Sequence, residues 1–370
     1  MTKLLIVILA LLLIPIFALM TFIPYWTRKT ESFGVSIPED VFDHPTIKTM
    51  RKSYAQIMTI VGIVLLFIYF FVALLFTTDE VMFSIFYSGI IFVYLIISFI
   101  IYLRFHKQMK QLKAEQQWTQ DKSQQLIIHT KFHDKPLTIS HWFYGIPILL
   151  SFGMILISII FYDRFPAEIP LQFDLTGEVT RSAPKSYSTV LGLPITQLVL
   201  SFTFLFVNIV IAKAKQQVSA SQPDESMQRN IIFRRRWSIF LFITAILITL
   251  LFITIQVNIF TPLDQMVMMI MSLVVTFGVI IGAIILSITT GQGGSRISLP
   301  SEENPQVIDR DDDQYWKLGQ FYFNKDDPTV FLEKRFGIGW TVNWARPAAW
   351  LFLIGIIILA VGLPLLLSYK

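Results

Sequence analysis

The chain has 370 residues, of which 54% are hydrophobic and 15% are charged, whereas an ordinary soluble domain has roughly 45–50% and about 25%. This composition excludes an ordinary soluble globule and indicates a membrane protein. The formal net charge is +5 and the chain contains no cysteine, which excludes disulfides, zinc–thiolate sites, iron–sulfur clusters and thiol nucleophiles.

Apolar runs of about 20 residues recur along the chain, and a helix of that length crosses about 30 Å of hydrocarbon. Eight such runs predict transmembrane helices at residues 4–23, 55–76, 81–103, 142–162, 189–212, 237–260, 265–288 and 347–367. The first run is too long for the apolar core of a secretory signal, so we expect it to remain as a span. The predicted fold class is an all-α polytopic membrane protein with small extramembrane β-hairpin elements.

The distribution of Lys and Arg predicts the orientation of these spans, because basic residues near helix ends are held on the cytoplasmic side. Four alternate connecting segments carry 25 of the 30 Lys and Arg residues: 24–54, 104–141, 213–236 and 289–346. We expect these segments to be cytoplasmic and both termini to lie outside. The Arg run at 234–236 is then a topology anchor, and no nucleic-acid partner is expected.

The eight predicted spans contain no Asp, Glu, Lys, Arg or His, although ion-coupled transporters usually carry such residues within the membrane. A proton-coupled carrier is therefore disfavoured, while a sodium-coupled or passive one stays open. In the fifth span, Gln197, Ser201 and Asn208 lie close to one helical face, and Gln256 lies near the outer end of the sixth. These residues either line a pathway or form interhelical hydrogen bonds, and we favour the hydrogen bonds.

The predicted outer segment 163–188 contains three prolines, which exclude a continuous helix. Apolar residues alternate from Ile169 to Leu175, which predicts a short strand with its apolar face on the membrane region and a turn at Thr176 and Gly177. The segment is either a binding lip or a plug that stabilises the bundle. As a binding lip, its candidate extracellular binding residues are Gln172, Asp174, Gly177, Glu178 and Lys185.

Residues 145–212 resemble a known membrane-protein family. The pattern consists of Ile169-Pro170, Phe173, Gly177 and Lys185-Ser186, between an aromatic-rich span and a Leu-Gly-Leu-Pro-Ile span. It resembles the N-terminal domain of the SdpI-type bacterial membrane proteins, a mostly uncharacterised family whose named member is an immunity protein against a secreted killing peptide. Gln172 stands where that family commonly has His, and Thr180 stands near its usual Asp. The resemblance implies recognition at the outer surface without catalysis.

The predicted cytoplasmic segment 289–346 begins as a Gly- and Pro-containing linker and gains an ordered pattern from residue 309 onward. Turn residues from Asn324 to Pro328 predict a β-hairpin between residues 320–323 and 330–333. The stretch resembles a second small module of unknown function found beside the SdpI-like domain in larger membrane proteins. The resembling residues are Trp316, Gly319, Tyr322, Asn324, Asp326, Asp327, Pro328, Arg335, Gly337, Gly339, Trp340 and Asn343.

Two patterns have the spacing of a metal site but lack other residues that such a site needs. Asp309, Asp311 and Asp313 have the spacing of a calcium loop, but the Gly and Glu that an EF-hand needs are both replaced by Gln. His129 and His133 have i, i+4 spacing, but no metalloprotease Glu accompanies them. We therefore predict no metal site and no cofactor, and we expect no enzyme because no catalytic set of residues is apparent.

These observations favour a multi-pass protein of the bacterial cell membrane that recognises an extracellular peptide or lipid, in immunity, stress sensing or envelope maintenance. A transporter or permease for a small molecule, without proton-relay residues, is the alternative. The expected partners are the lipid bilayer, the outer ligand and, as an open alternative, a cytoplasmic protein. The predicted domains are a three-helix region with a cytoplasmic helical extension (1–141), a four-helix SdpI-like region (142–288), the cytoplasmic linker and module (289–346) and a C-terminal helix (347–370).

Overall fold

A computed structural model describes residues 3–75, 80–118, 123–125, 132, 134–173, 179–300 and 307–362. Its α-helices are α1 (Lys3–Phe22), α2 (Pro45–Leu75), α3 (Glu80–Gln116), α4 (Gly145–Ile160), α5 (Tyr187–Lys213), α6 (Pro223–Phe260), α7 (Gln265–Thr290) and α8 (Pro347–Ile357). Within the described part of the chain, α1 to α7 are long and apolar enough to cross a membrane. The chain is therefore an all-α polytopic membrane protein, as predicted, and the orientation of its helices stays a prediction.

Some helices extend beyond the predicted spans. Helix α3 continues to Gln116, as expected for a helical extension beyond the membrane. Helix α6 begins at Pro223, within a segment predicted only as a connection, and Asp224 and Glu225 in its first turn suit a helix N-terminus. Helix α8 passes into the π-helical turn Ile358–Gly362, and residues 363–367 of the predicted eighth span lie outside the described residues.

Short strands form five two-stranded sheets in the described residues. Four are antiparallel, namely β1 (Glu31–Ser32) with β2 (Val35–Ser36), β4 (Glu168–Phe173) with β5 (Val179–Pro184), β7 (Trp316–Lys317) with β8 (Phe321–Tyr322), and β9 (Phe331–Glu333) with β10 (Trp340–Val342). The fifth pairs β3 (Ser123–Gln125) with β6 (Val307–Asp309) in parallel. The extramembrane β-hairpins of the predicted fold class are thus present.

The chain divides into two compact units, each built from separated stretches of sequence. Unit 1 comprises Met1–Phe132, Lys215–Phe233 and Ile284–Ala345. Unit 2 comprises His133–Ala214, Arg234–Ala283 and Arg346–Lys370. The division into four sequence domains stays a prediction.

Tyrosine hydroxyls attach α1 to its neighbours in unit 1. Tyr69 of α2 donates to the carbonyl of Ile6 at 2.8 Å, and Tyr94 of α3 donates to the carbonyl of Phe17 at 3.1 Å. A phenol buried among apolar side chains needs such an acceptor. A Cβ atom on Gly62 would lie 3.2 Å from the Phe17 ring, so this glycine lets α1 and α2 approach closely.

A proline inside α5 shapes the packing of unit 2. Pro194 has no N–H, so the carbonyl of Val190 loses its i+4 helical donor. The Nε2 atom of Gln256 donates to that carbonyl at 2.9 Å and to the Ser158 hydroxyl at 3.0 Å. Gln256 is 1% exposed, so this amide joins α6 to α4 and α5 by replacing a missing backbone donor.

The polar face of α5 forms interhelical hydrogen bonds, as the favoured interpretation predicts. The Ser201 hydroxyl lies 3.2 Å from that of Ser151 in α4, and the Ser238 hydroxyl donates to Oδ1 of Asn208 at 2.5 Å. Gln197 differs, because its buried amide atoms have no hydrogen-bond partner within the described residues.

Replacing Gln256 with Leu is expected to lower the free energy of unfolding by about 0.6–1.7 kcal/mol, because the Val190 carbonyl loses its donor in an apolar environment. Pro194→Ala restores a backbone N–H for that carbonyl. The cost of Gln256→Leu should therefore be smaller in the Pro194→Ala background. Denaturation of the solubilised full chain measures all four variants of this double-mutant cycle.

Thr254→Val is the matched control, because the Thr254 hydroxyl donates only along its own helix, to Leu250. We expect little change in stability from this control. If Gln256→Leu lowered the free energy of unfolding equally in both backgrounds, Gln256 would not be replacing the backbone donor that Pro194 lacks.

Candidate functional site

The segment predicted to bind at the outer surface forms the antiparallel hairpin β4–β5, which confirms the predicted strand. In its register Ile169 pairs with Ala183, and Gln172 pairs with Arg181. The register is irregular on both sides of Gln172. The predicted turn lies in residues 174–178, outside the described residues.

Ile169 anchors this hairpin to the helices of unit 2. Its side chain is 1% exposed and packs with Phe165 and Val190. Leu171 is 46% exposed, so the prediction that the alternating apolar residues all face the membrane region is wrong at this position. The irregular register next to Pro170 explains the difference, because a bulge interrupts the two-residue alternation of a strand.

The structure describes two of the five predicted binding residues. Gln172 is exposed opposite Arg181, as a binding role requires. Asp174, Gly177 and Glu178 lie outside the described residues. Lys185, predicted as a candidate binding residue, is described, and its ammonium donates to backbone carbonyls of the chain itself.

The Lys185 ammonium turns back toward the short 3₁₀ helix Tyr162–Arg164. It donates to the carbonyls of Phe165 at 3.1 Å and of Tyr162 and Asp163 at 3.4 Å, and it lies 5.0 Å from the centre of the Tyr162 ring. These carbonyls follow the end of α4, where helical donors are lacking. Lys185 therefore fixes the base of the hairpin, a role that sequence spacing alone does not indicate.

A capping box begins α5 directly after the hairpin. The Ser186 hydroxyl accepts from the backbone N–H of Thr189 at 3.2 Å, and the Thr189 hydroxyl accepts from the N–H of Ser186 at 2.9 Å. This reciprocal pair satisfies two helix N-terminal donors. The Ser-x-x-Thr spacing is the sequence signal that could have predicted this helix start. The hairpin is thus held on one side by Ile169 and at its base by Lys185 and Ser186.

A second cluster of polar residues lies in unit 1, around the module at residues 307–345. Hairpin β1–β2 turns through Phe33 and Gly34, which have φ angles of 47° and 75°. Two successive residues with positive φ make a tight two-residue hairpin turn. Two side chains of α3 hold this turn. The Tyr102 hydroxyl donates to the Phe33 carbonyl at 3.3 Å, and Nδ1 of His106 lies 2.8 Å from the same carbonyl oxygen.

Glu333 is the centre of one group of buried charges in unit 1. Its side chain is fully buried and forms an ion pair with Arg28. Asn230 donates to Oε1 of Glu333 at 2.7 Å, and Gln292 donates to Oε2 at 3.4 Å. This carboxylate therefore joins the module to segments from three other parts of the sequence.

Arg335 is the centre of a second group. Its side chain is 3% exposed and pairs with Asp312 and Asp313, while its Nε lies 3.8 Å from Oε1 of Glu31. Lys113 of α3 donates to Asp313 at 2.7 Å. Lys113 also donates to Asp311 at 2.6 Å. Asp311 and Asp313, two of the three acids with calcium-loop spacing, are therefore engaged by cations of the chain itself.

Burial sets the pKa values in this cluster. It raises the pKa of Glu31 to about 7, and Arg28 and Arg335 only partly oppose it. It also raises the pKa of Asp309 to about 6, against the backbone N–H of Ala220, which donates to this carboxylate. Burial acts in the same direction on Asp313, but Arg335 and Lys113 outweigh it and hold the pKa of Asp313 below its ordinary value.

The predicted hairpin between residues 320–323 and 330–333 is wrong. Strand β8 pairs with β7, and β9 pairs with β10. Positive φ angles at Leu318 and Gly319 reverse the chain early, and Gly337 and Gly339 provide the second reversal. The intervening turn is instead held by Asn343, which donates to the carbonyl of Asn324 at 2.8 Å.

Asp327 closes this turn of the module. Its Oδ2 accepts from Lys215 at 2.5 Å and from the Tyr322 hydroxyl at 2.9 Å, and its Oδ1 accepts from the N–H of Thr329 at 3.0 Å. Burial favours a higher pKa, but the hydrogen bonds from Lys215 and Thr329 lower the pKa of Asp327 to about 2. The residues that resemble the second module thus include those that fix its fold.

Comparison with known proteins identifies two domains of unknown function. A family model described as a domain of unknown function (DUF1648) matches residues 149–198, and one described as a family of unknown function (DUF5808) matches residues 325–350. The first match lies within the stretch predicted to resemble SdpI-type proteins, and the second overlaps the predicted second module. No curated protein and no solved structure matches the chain.

Replacing Glu333 with Ala is expected to destabilise unit 1 by about 3–5 kcal/mol, because it leaves Arg28, whose side chain is only 13% exposed, without its carboxylate. Asp43→Ala is the matched control, since Asp43 pairs with Lys48 at 3.3 Å but both side chains are more than half exposed. The control should change stability little. Thermal denaturation of the two variants measures the difference in stability. Equal losses of stability would show that burial of the Glu333 carboxylate does not make its ion pair more costly to break than an exposed one.

The pH dependence of stability tests the Glu31 environment. A carboxyl whose pKa is raised in the folded state stabilises that state fully below its ordinary pKa, and this contribution disappears as the pH rises through the folded-state value. For Glu31 the loss therefore falls between about pH 4.5 and 7. Asp309 acts in the same direction over a narrower window, up to about pH 6.

Glu31→Gln should accordingly flatten the fall in melting temperature between pH 5 and 8, because the amide does not titrate. The exposed variant Asp43→Asn should leave that fall unchanged. A fall in melting temperature that is as steep in Glu31→Gln as in the unaltered chain would show that Glu31 titrates at its ordinary pKa.

Proposed function

We propose that this multi-pass membrane protein recognises an extracellular peptide through the hairpin β4–β5 and has no catalytic role. The observation that carries the proposal is an exposed two-stranded sheet anchored by one buried residue, Ile169. Among the described residues no further strand pairs with β4 or β5, so each strand keeps one free edge. An extended peptide can add to such an edge through backbone hydrogen bonds.

The side chains on the hairpin suit an amphipathic peptide. Leu171 and Val179 are 46% and 51% exposed, and they offer apolar contacts on an otherwise polar surface. Gln172 and Arg181 lie opposite each other and are exposed, so they supply hydrogen bonds and one positive charge. A membrane-active peptide carries both apolar and polar groups and would use both kinds of contact.

The fixed base of the hairpin supports a binding role. Lys185 and the capping box at Ser186 hold the ends of the two strands before any ligand arrives. A surface that is already ordered loses less conformational entropy on binding. The same contacts also suit a plug that stabilises the helix bundle. Survival of cells exposed to a secreted peptide separates the two interpretations, because a plug alone gives no protection.

The resemblance to SdpI-type proteins supports a role in immunity, stress sensing or envelope maintenance in a bacterial cell membrane. The domain matched at residues 149–198 contains the whole hairpin. The orientation predicted from Lys and Arg places this hairpin on the outer side. A secreted peptide would therefore meet it without crossing the bilayer.

A transporter or permease is the second candidate, and one observation favours it. Gln197 is 1% exposed in α5, and its amide has no partner within the described part of the chain. An unpaired amide in a membrane helix is costly and often has a role. Flux separates the two candidates, because a recognition protein should move no solute.

Cells that carry the full chain should survive a secreted membrane-active peptide better than cells that lack it, when a panel of such peptides is tested. In the double variant Gln172→Ala/Arg181→Glu, protection should fall about tenfold or more, because central contact residues contribute about 2 kcal/mol to binding. The minimum inhibitory concentration measures this change.

Arg164→Ala is the matched control, because Arg164 is an exposed cation in the same segment and lies outside the hairpin. It should leave protection unchanged at equal levels of inserted protein. Protection that survives the double variant would refute the hairpin as the binding site. Binding of anionic vesicles in place of peptide would assign the ligand to the lipids.

A further inference from the structure

Unit 1 has a groove between the first half of α2 and the last part of α3. Its residues are separate in the sequence from those of the hairpin β4–β5. The groove has a volume of about 560 Å³. Residues at four-residue spacing on both helices line it, which places them on facing sides of an antiparallel helix pair. The contact between the rings of Tyr54 and Phe105, 5.5 Å apart, fixes which levels of the two helices meet.

The polar residues of the groove lie toward one end. Thr46, Thr49 and Gln108 line the end near the start of α2, beside Pro45 and Met50, and Ile57 lines the other end. Arg104 lies between them, directly after the predicted span 81–103. The groove therefore crosses the predicted boundary between the hydrocarbon and the headgroup region.

The charge of the groove is positive. No acidic residue is among its lining residues, and none of the described residues forms an ion pair or hydrogen bond with the Arg104 guanidinium. Arg104 is exposed, so its five N–H groups are available to a ligand. A guanidinium binds phosphate through paired hydrogen bonds, and hydroxyl groups such as that of Ser53 supply further donors.

Beyond Ile57, the surfaces of α2 and α3 continue with exposed apolar side chains. Ile60 and Val64 of α2 are 62% and 51% exposed, and Ile96 and Ile100 of α3 are 46% and 60% exposed. These side chains would contact acyl chains in a bilayer. A ligand that fills the groove and follows this surface has a phosphate at one end and hydrocarbon at the other.

We infer that this groove binds the headgroup of an anionic glycerophospholipid, with its phosphate on Arg104 and its acyl chains beside Ile57 and the exposed isoleucines. The bilayer supplies such a ligand at high local concentration, and basic pockets between helices on the cytoplasmic side are suited to anionic headgroups. The lipid would stabilise the contact between α2 and α3 through the binding free energy.

Native mass spectrometry of the full chain in detergent tests the inference, with phosphatidylglycerol and phosphatidylcholine as probes. The unaltered chain should retain phosphatidylglycerol in preference. Arg104→Gln should reduce its retention about tenfold or more, because a hydrogen bond to a charged group is lost. Thr49→Trp should also reduce retention by filling the groove, independently of charge.

Lys107→Gln is the matched control, because Lys107 is an exposed cation on the same helix that does not line the groove. It should retain phosphatidylglycerol like the unaltered chain. An equal loss in the control would overturn the inference by showing attraction to general surface charge. Displacement of the lipid by soluble glycerol 3-phosphate at similar concentrations would also overturn it, because the ligand would then be a free phosphate.

Discussion

A backbone carbonyl that loses its helical donor inside a bilayer must find another donor, because lipid offers none. This constraint explains two buried polar side chains of unit 2, Gln256 and Arg234. Gln256 supplies the donor that Pro194 removes from the Val190 carbonyl. At the other end of α5, Arg234 donates to the carbonyls of Ile211 and Ala214, both at 2.9 Å. This arginine, predicted as a topology anchor, therefore also caps a helix C-terminus, where a cation is favoured.

Buried charge imposes the corresponding constraint on unit 1. A buried ion pair contributes little net stability, but removal of one partner is costly. Glu333 and Arg335 are two residues apart, and each pairs with groups from distant parts of the chain. Arg28 must therefore assemble with Glu333, and Asp312 and Asp313 with Arg335, since the buried side chains of Glu333 and Arg335 would otherwise carry uncompensated charges. We interpret the network as a source of conformational specificity for the module.

The sequence predicted what depends on local pattern and missed what depends on distant contacts. The spans follow from hydropathy within one window, so α1 to α7 agree with the first seven of the eight predicted spans, whereas the described α-helix of the eighth, Pro347–Ile357, is shorter. The alternation from Ile169 predicted strand β4, but a bulge exposed Leu171. Phe165 and Asp312, which pair with Lys185 and Arg335, lie 20 and 23 residues away in the sequence, and no spacing rule identifies them. The stacked rings of Phe33 and Phe336, with centres 6.0 Å apart, are a further contact between distant parts of the sequence.

The placement of polar groups also bears on the chemistry of recognition. The predicted spans hold amides and hydroxyls, some of which join neighbouring helices, whereas charged groups lie in the segments between them. The charged side chains that could bind a polar ligand therefore lie outside the predicted spans. At position 172 this chain has Gln where the resembling family commonly has His. An amide donates and accepts hydrogen bonds without titrating, whereas imidazole changes its charge near pH 6.5. Contacts made by Gln172 would therefore be independent of pH, so any acid-dependent response of this protein must arise from other groups.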